Sequence, residues 1–524
     1  MNRAGAHRAD AILLLGSAGC ALTVLDTNVV GVVLPTIARD LSATFADIEW
    51  VVSAYVLCFA SLLLPAGTLA DRIGRRRLFL IGLSLFALTS VACGLAGTAM
   101  ALYLARAGQG AAAAFMLAPA LSLIGHAHQT PTSRARAWAI WGAIMGLTMV
   151  LAPLIGGAIA TWFGWRWAFH INLPLCLLLA SLSWAFVPES RDPVSRRIDV
   201  PGVLLFAGSM LSWTWALIRG PVEGWGSAAV LPWLLAGTAL GAGFIVVEQR
   251  RAQPMLDLRL FRAPALVGAV LAMFAYAACV QVMASLLPLL LQNARGDSVL
   301  QAGMHMLPFA LAMLLLPFAG RRLGTRWVSG RILALGLGVA VIGNLGIAVA
   351  LWQHSDSGLL LAMAVLGSGG GLLNGETQKA IMSVIPPDRA GMASGISTTA
   401  RFSGILIGFA TLGAVLSSHV RDAARGALAE AGQAWSPAVI ERVVVGELSV
   451  SGAAHDTLTQ LARHAYGDGA AYAFVTAAAM ALVAMLLTST LMAKRWTVRR
   501  WRPRMAWIRP AVTTRGPARP SRRR

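Results

Sequence analysis

Long apolar stretches separated by short polar segments recur along the first 492 positions of the chain. Fourteen of them approach or exceed the ~20 predominantly apolar residues that a membrane-spanning helix needs. Their bounds, to within about three residues, are 11–33, 50–66, 78–96, 99–124, 137–160, 168–187, 200–218, 229–247, 265–291, 302–319, 332–351, 359–382, 393–416 and 470–492. The pattern predicts an all-α integral membrane protein. An even number of spans places both termini on the same side of the membrane.

Composition excludes a water-soluble fold for most of this chain. Of its 524 residues 57% are hydrophobic and 12% charged, and the mean hydropathy is +0.68, which is far outside the range of soluble domains. The five cysteines lie in apolar runs without a CxxC spacing, so neither a disulfide framework nor a zinc site is indicated. No metal site is expected among the nine histidines either, because they show no ligand spacing.

The net charge of +21 is distributed unevenly between the two sides of the predicted membrane domain. The side with both termini holds 33 of the 43 Lys and Arg residues, so the positive-inside rule predicts that both termini are cytoplasmic. Residues 494–524 form a basic tail with interleaved Trp, and we expect it to contact anionic membrane lipids rather than nucleic acid. The segment 417–469 on the other side is Ala-rich with mixed charge. It is predicted to be partly helical and has no assigned role.

A short loop between spans 2 and 3 combines glycines, one acid and several arginines. Its motif residues are Gly67, Asp71, Arg72, Gly74, Arg75 and Arg76. The glycines permit conformations and close backbone approaches that a side chain would block, and the aspartate can cap a helix or pair with an arginine. The pattern resembles the loop signature of the major facilitator superfamily. A weaker copy at 320–331 follows span 10, where an internal duplication with two inserted helices would place it.

Span 5 carries Pro153, Gly156 and Gly157, similar to the signature of the antiporters of this superfamily. A proline kink and small residues permit close helix packing there. Four further stretches, 25–35, 165–174, 199–202 and 254–261, look like the fourteen-span drug:proton antiporter family.

That resemblance implies the major facilitator fold. Two six-helix halves, 11–190 and 264–493, would be separated by two additional transmembrane helices at 199–248. The basic cytoplasmic tail, 494–524, would follow the second half.

Ionisable residues inside a span cost roughly 2.5–3.5 kcal/mol each on insertion scales, so they are functional candidates. At about 1.5 Å per helical residue, Asp26 and Arg106 lie at similar depth, about 10 Å from the outer boundary. They can therefore form a pair, which suits proton coupling because an arginine and desolvation act oppositely on a carboxylate. The alternative is a fixed structural ion pair. Gln109, nearly one turn from the arginine, either helps to hold it or contacts substrate.

The resemblance favours proton coupling over the structural alternative, because related antiporters use an acid in span 1 and the arginine of span 4 in this way. In the second half, Glu376 and Arg401 lie at depths that allow another pair for coupling or substrate binding. Glu376 and Lys379 are spaced i to i+3, however, and can pair along one helix instead.

No phosphate-binding loop of the GxxxxGK[ST] type occurs, so ATP coupling is not indicated. We expect no cofactor and a proton gradient as the energy source. The sequence thus predicts an antiporter of the bacterial cytoplasmic (inner) membrane that exports amphipathic drugs or antibiotics by alternating access. The scarcity of buried acids favours lipophilic cations or neutral compounds. The alternative is a dedicated exporter or importer of one metabolite, and a requirement for a periplasmic adaptor is left open.

An enzyme is disfavoured because no cluster of catalytic residues is found. The same absence of clustered ligand residues argues against a membrane receptor.

Overall fold

A computed structural model describes residues 3–128, 130–191, 199–251, 258–324, 326–385, 390–430 and 455–493, and within these ranges the regular structure is helical without β-strands. Fourteen helical segments are long and apolar enough to cross a membrane. Each overlaps one predicted span, which confirms the fold class. The basic tail at 494–524, residues 254–257 of one quoted stretch and residues 431–454 of the predicted outer segment lie outside the described residues.

We number the membrane helices α1 to α14 in chain order. The first six are α1 Arg3–Asp40, α2 Phe45–Ile73, α3 Arg75–Gly94, α4 Ala99–Ala127, α5 Pro131–Trp162 and α6, which consists of Trp167–His170 and Asn172–Phe186. The next two are α7 Val200–Glu223 and α8 Leu231–Arg250. A 3₁₀ turn, Leu258–Arg262, precedes the remaining helices.

Helix α9 comprises Pro264–Tyr276, a π-helical turn at Ala277–Gln281 and Val282–Ala294, and α10 comprises Val299–His305 and Leu307–Leu323. The last four are α11 Ser329–Trp352, α12 Asp356–Val384, α13 Ala390–Glu430 and α14 His455–Met492. Helices α13 and α14 thus extend into the segment 417–469, which confirms that it is partly helical.

Side-chain caps fix where several helices begin. Thr44 and Asp47 form a capping box at the start of α2, and Ser298 and Gln301 form another at the start of α10. Each box satisfies backbone N–H groups that the first helical turn leaves without partners. Single hydroxyl or carboxylate caps start four more helices, at Thr98, Thr130, Asp199 and Ser355.

The helices pack into two groups. In the first group, α4 packs against α1, α2 and α3, α1 also packs against α5, and α3 against α6. In the second, α11 packs against α12 and α14, α12 against α10, and α14 against α13. The inserted helices α7 and α8 pack on each other, and α7 contacts α2 of one group and α13 of the other. The inserted pair therefore touches both groups.

The two groups meet near one side of the bundle. We call the side where α1 begins and α14 ends the terminal side, and the opposite side the distal side. Near the distal side, Gln292 of α9 donates to the carbonyl of Val32 at 2.9 Å, and Gly303 of α10 lies directly against the backbone of Pro153. Towards the terminal side, no heavy atom lies within 4 Å of a Cβ built on Gly67 or Gly142. The two helix groups therefore pack closely against each other near the distal side.

Candidate functional site

A buried ion pair joins α1 and α4 inside the first helix group. Nη1 of Arg106 lies 2.6 Å from Oδ2 of Asp26, and the side chains are 1% and 0% exposed. The contact predicted from their depths is present. Because neither charge reaches solvent in this conformation, their stability depends on each other and on the hydrogen bonds around them.

Polar side chains from three helices complete the cage around Asp26. Its Oδ1 accepts hydrogen bonds from Nε2 of Gln109 at 2.8 Å and from Nδ2 of Asn172 at 2.9 Å. The hydroxyl of Ser90 on α3 accepts from the same two amides, at 2.8 and 3.3 Å. The carboxylate thus accepts three hydrogen bonds in all, one of them from Arg106, which stabilise its charged form.

Gln109 binds both charges of the pair. Its Oε1 accepts from Nη1 of Arg106 at 2.6 Å, while its Nε2 donates to Asp26. The side chain is fully buried. Of the two roles considered for this glutamine, holding the arginine is the one that this conformation displays.

Helix α2 supplies two further contacts of the arginine. Nε of Arg106 donates to the carbonyl of Val51 at 3.2 Å, and the guanidinium lies 4.2 Å from the ring centroid of Tyr55. A Cβ on Gly110 would collide with the backbone of Tyr55. The glycine that follows Gln109 therefore permits the close approach of α4 to α2 that brings the arginine to these groups.

Sequence reasoning missed several members of this cage. Asn172 lies within the stretch 165–174 and begins the apolar second part of α6. Its amide at the start of an apolar helix was the signal that could have identified it. Ser90 gave no such signal, because serines are common in membrane helices. Tyr55 gave no signal either, because it lies within an otherwise apolar helix.

The second helix group has a polar contact between α13 and α9. Nε of Arg401 on α13 lies 2.9 Å from Oε1 of Gln281, and its guanidinium is 5.9 Å from the ring of Tyr276. Gln281 ends the π-helical turn of α9, a feature that is frequent at functional sites. Gly404 and Gly408 of α13 lie directly against this turn, so the turn and the arginine are held together by close packing.

Glu376 of α12 does not pair with Arg401 of α13 in this conformation. Its carboxylate, largely buried, accepts two hydrogen bonds from Nζ of Lys379 at 3.0 and 3.2 Å. The Glu376 to Arg401 pair that the sequence allowed is therefore corrected in favour of the i to i+3 alternative. The reason is local, since residues three apart on a helix are neighbours.

The loop motif forms a tight junction between α2 and α3. Gly74 has φ of +119°, and a Cβ there would meet the carboxyl group of Glu189 at 2.6 Å. The same carboxyl accepts the backbone N–H groups of Arg76 and Arg77 at 3.1 and 3.2 Å. Glu189, which follows α6, therefore caps the N-terminus of α3 with its carboxyl group. That carboxyl leaves no room for a side chain at Gly74.

Asp71 pairs with an arginine, as one of its two predicted roles. Its Oδ1 lies 2.9 Å from Nη2 of Arg75. Arg76 donates to the carbonyl of Val187 at 3.1 Å, while Arg72 is exposed. Gly67 departs from the prediction: it lies within α2, and a Cβ there would meet open space. A close approach at Gly67 is therefore absent in this conformation.

The glycines of α5 permit contacts in two directions. A Cβ on Gly156 would lie 3.2 Å from Cα of Val29 on α1, and one on Gly157 would lie 3.1 Å from Cα of Leu300 on α10. The close packing predicted for this motif is confirmed. Gly157 thus belongs to the distal contact between the two helix groups. Among the described residues, no group of three or more His, Cys, Asp or Glu is placed to hold a metal ion.

Comparison with known proteins gives a consistent set of relatives. Residues 17–409 match the family model described as Major Facilitator Superfamily. The multidrug resistance protein Stp of Mycobacterium tuberculosis is 35% identical over 84% of this chain and 81% of its own length. The tetracenomycin C resistance and export protein of Streptomyces glaucescens is 32% identical over 90% and 89%. The multidrug efflux pump LfrA of Mycolicibacterium smegmatis is 31% identical over 88% and 92%.

Solved structures agree on the fold. A bacterial homologue of the human lysosomal transporter Spinster, in an inward-facing and occupied conformation, superposes with a TM-score of 0.66 at 18% identity, over 93% of this chain and 98% of that one. An auto-inhibited peptide transporter of the POT family gives a TM-score of 0.62 at 17% identity, over 95% and 99%. Both structures are membrane transporters.

Proposed function

The chain belongs to the major facilitator superfamily, and from that premise we propose that it exports amphipathic drugs or antibiotics in exchange for protons. It is a multi-pass protein of the bacterial inner membrane. The observation that carries the proposal is the buried pair of Asp26 and Arg106. Relatives named for multidrug resistance and for export support the direction of transport and the class of substrate.

The proposed coupling step uses the chemistry of this pair. As a carboxylate, Asp26 accepts hydrogen bonds from Arg106, Gln109 and Asn172. A proton bound to Asp26 removes its charge and leaves the guanidinium to be stabilised by Gln109, the Val51 carbonyl and the Tyr55 ring. The two protonation states therefore favour different arrangements of α1 against α4, and such a difference is what couples proton binding to a conformational change.

The closed distal side fits one state of the transport cycle. With the terminal side taken as cytoplasmic, as the distribution of Lys and Arg favours, the conformation is closed towards the exterior. The Asp26 to Arg106 pair is buried in this state. In the proposed cycle, proton exchange at Asp26 requires a movement of the helices that lets water reach it, which limits proton leak when no substrate is moved.

A second candidate is the export of one compound by a dedicated carrier. It is favoured by relatives whose names refer to a single antibiotic, such as the tetracenomycin C resistance and export protein. The two candidates differ in whether chemically unrelated compounds compete for the same carrier.

The test is ethidium transport in everted membrane vesicles that contain the native protein, Asp26→Asn or Asp40→Asn at matched amounts. Asp40 is the control because it lies on the same helix, is 45% exposed and pairs with Arg166. We expect proton-gradient-driven ethidium transport by the native protein and by Asp40→Asn, and none by Asp26→Asn or after addition of an uncoupler. Undiminished transport by Asp26→Asn would remove Asp26 from coupling. Failure of the native protein to move ethidium would favour the dedicated carrier.

A further inference from the structure

A second buried carboxyl group lies in the distal contact between the two helix groups. Glu49 lies near the start of the apolar span of α2 and is 2% exposed. A Cβ built on Gly413 of α13 would overlap its Oε1, so the carboxyl packs directly against the backbone of the opposite group. Sequence reasoning missed it, because the second span was predicted to start at the next residue.

The surroundings of Glu49 are poorly suited to a permanent negative charge. Its Oε1 is inaccessible and accepts no hydrogen bond from any residue that the structure describes. The positive charge of Arg421 on α13 attracts the carboxylate but supplies no hydrogen bond to its Oε1. Burying an ionised carboxylate with an oxygen that has neither water nor a donor costs several kcal/mol, whereas the neutral acid is far less costly to bury.

The ion pairs on the other helices around α2 do not include Glu49. Helix α1 pairs Asp40 with Arg166, α4 pairs Arg106 with Asp26, α7 pairs Arg219 with Glu223, and α3 pairs Arg75 with Asp71. Tyr103 of α4 and Trp215 of α7 pack against Trp50, the residue next to Glu49. Aromatic rings thus surround the residue after Glu49, and the charge that acts on the carboxyl is the positive charge of Arg421.

We propose that Glu49 is a proton-binding gate residue, and that the protonated form closes the distal side by packing against Gly413. The inference rests on transport by alternating access, as proposed above. When α2 and α13 separate, the carboxyl meets external water and exchanges a proton with it. The neutral acid then enters the contact and the carboxylate resists entry, so external acid favours closure.

The proton on Glu49 follows a different route from the one proposed for Asp26. It is taken from external water when the distal side is open and returns there when that side opens again. Glu49 therefore makes closure depend on external pH without adding a transported proton.

The experiment measures distal closure directly. Spin labels at Ser42→Cys and Gly426→Cys report the distance between the first and second helix groups, because both positions are exposed and lie near the distal ends of α1 and α13. The five native cysteines are replaced in a background that retains transport, and the full chain is placed in lipid nanodiscs. Distances are compared at pH 5.5 and pH 8.0 without substrate.

We expect the short-distance population to dominate at the acidic pH and to fall at the alkaline pH. For one proton, the ratio of closed to open forms changes by at most about tenfold per pH unit. Glu49→Gln should stay closed at both values, whereas the control Glu223→Gln, an acid on α7, should keep the native dependence. Closure favoured by alkaline pH, or a pH response unchanged by Glu49→Gln, would overturn the proposal.

A second variant tests the contact without relying on titration. Gly413→Ala places a methyl group where the Glu49 carboxyl lies, so the long-distance population should increase at both pH values. An unchanged distance distribution would overturn the assigned contact, and this arm also covers the case in which Glu49→Gln does not fold. Because these distances are recorded without transport, a failure here is distinct from a failure of the ethidium assay.

Discussion

The side-chain amide of Asn172 lies 2.9 Å from Oδ1 of Asp26, so α6 contacts the same carboxylate that Arg106 of α4 neutralises. The amide also contacts Ser90 at 3.3 Å. Asn172 therefore couples the position of α6 to the state of the acid. It acts through Asp26 and is a positioning residue for the proposed proton site.

Replacing this amide separates the positioning role from general packing. In Asn172→Leu, the carboxylate loses one of its three donors, and a hydrogen bond to a charged group is worth about 1.5–3 kcal/mol. We expect at least tenfold slower ethidium transport and a displaced pH profile of the transport rate. The control is Ser181→Ala on the same helix, an exposed serine that bonds to its own helix. Equal losses in both variants would indicate a general effect on α6.

Thermal unfolding of single and double variants tests whether Asp26 and Arg106 stabilise each other. Each single variant, Asp26→Asn or Arg106→Gln, leaves one buried group without its partner, and breaking a buried pair typically costs roughly 3–5 kcal/mol. The double variant removes both charges and should lose less stability than the sum of the two single losses. Additive losses in detergent-solubilised protein would contradict a direct energetic coupling.

The sequence was sufficient to predict this pair because helix geometry converts position along the chain into depth. Asp26 and Arg106 were placed at equal depth from the rise per residue alone. The residues around the pair could not be predicted from position along the chain. Ser90 and Tyr55 approach the pair only because α3 and α2 pack on α4. Glu49 was missed for another reason, since the hydrophobic pattern defines span ends only to within a few residues and its burial depends on α13.

Two glycines of the loop motif are expected to behave differently when replaced by alanine. Gly74 has positive φ and lies against the Glu189 carboxyl, so Gly74→Ala strains the backbone and displaces that carboxyl. We predict a loss of stability of about 1–3 kcal/mol. Gly67 lies in a helix beside open space, so Gly67→Ala should be neutral or slightly stabilising. Thermal unfolding midpoints in one detergent check both, and equal shifts would argue against the positive-φ junction.

The last prediction concerns the distal contact of α5 with α10, where the closest neighbours of Gly157 are backbone atoms. A Cβ on Gly157 would lie 3.0 Å from the carbonyl oxygen of Val299 and 3.1 Å from Cα of Leu300, and backbone of a packed helix yields little. Gly157→Val should therefore hold the distal side open. A Cβ on Gly142 of the same helix would meet no neighbour within 4 Å, so Gly142→Val should leave closure unchanged. The readout is the Ser42 to Gly426 label distance at pH 5.5, where the native protein is expected to be closed. Normal closure in Gly157→Val would show that this contact is not required, and transport defects of that variant would then need another cause.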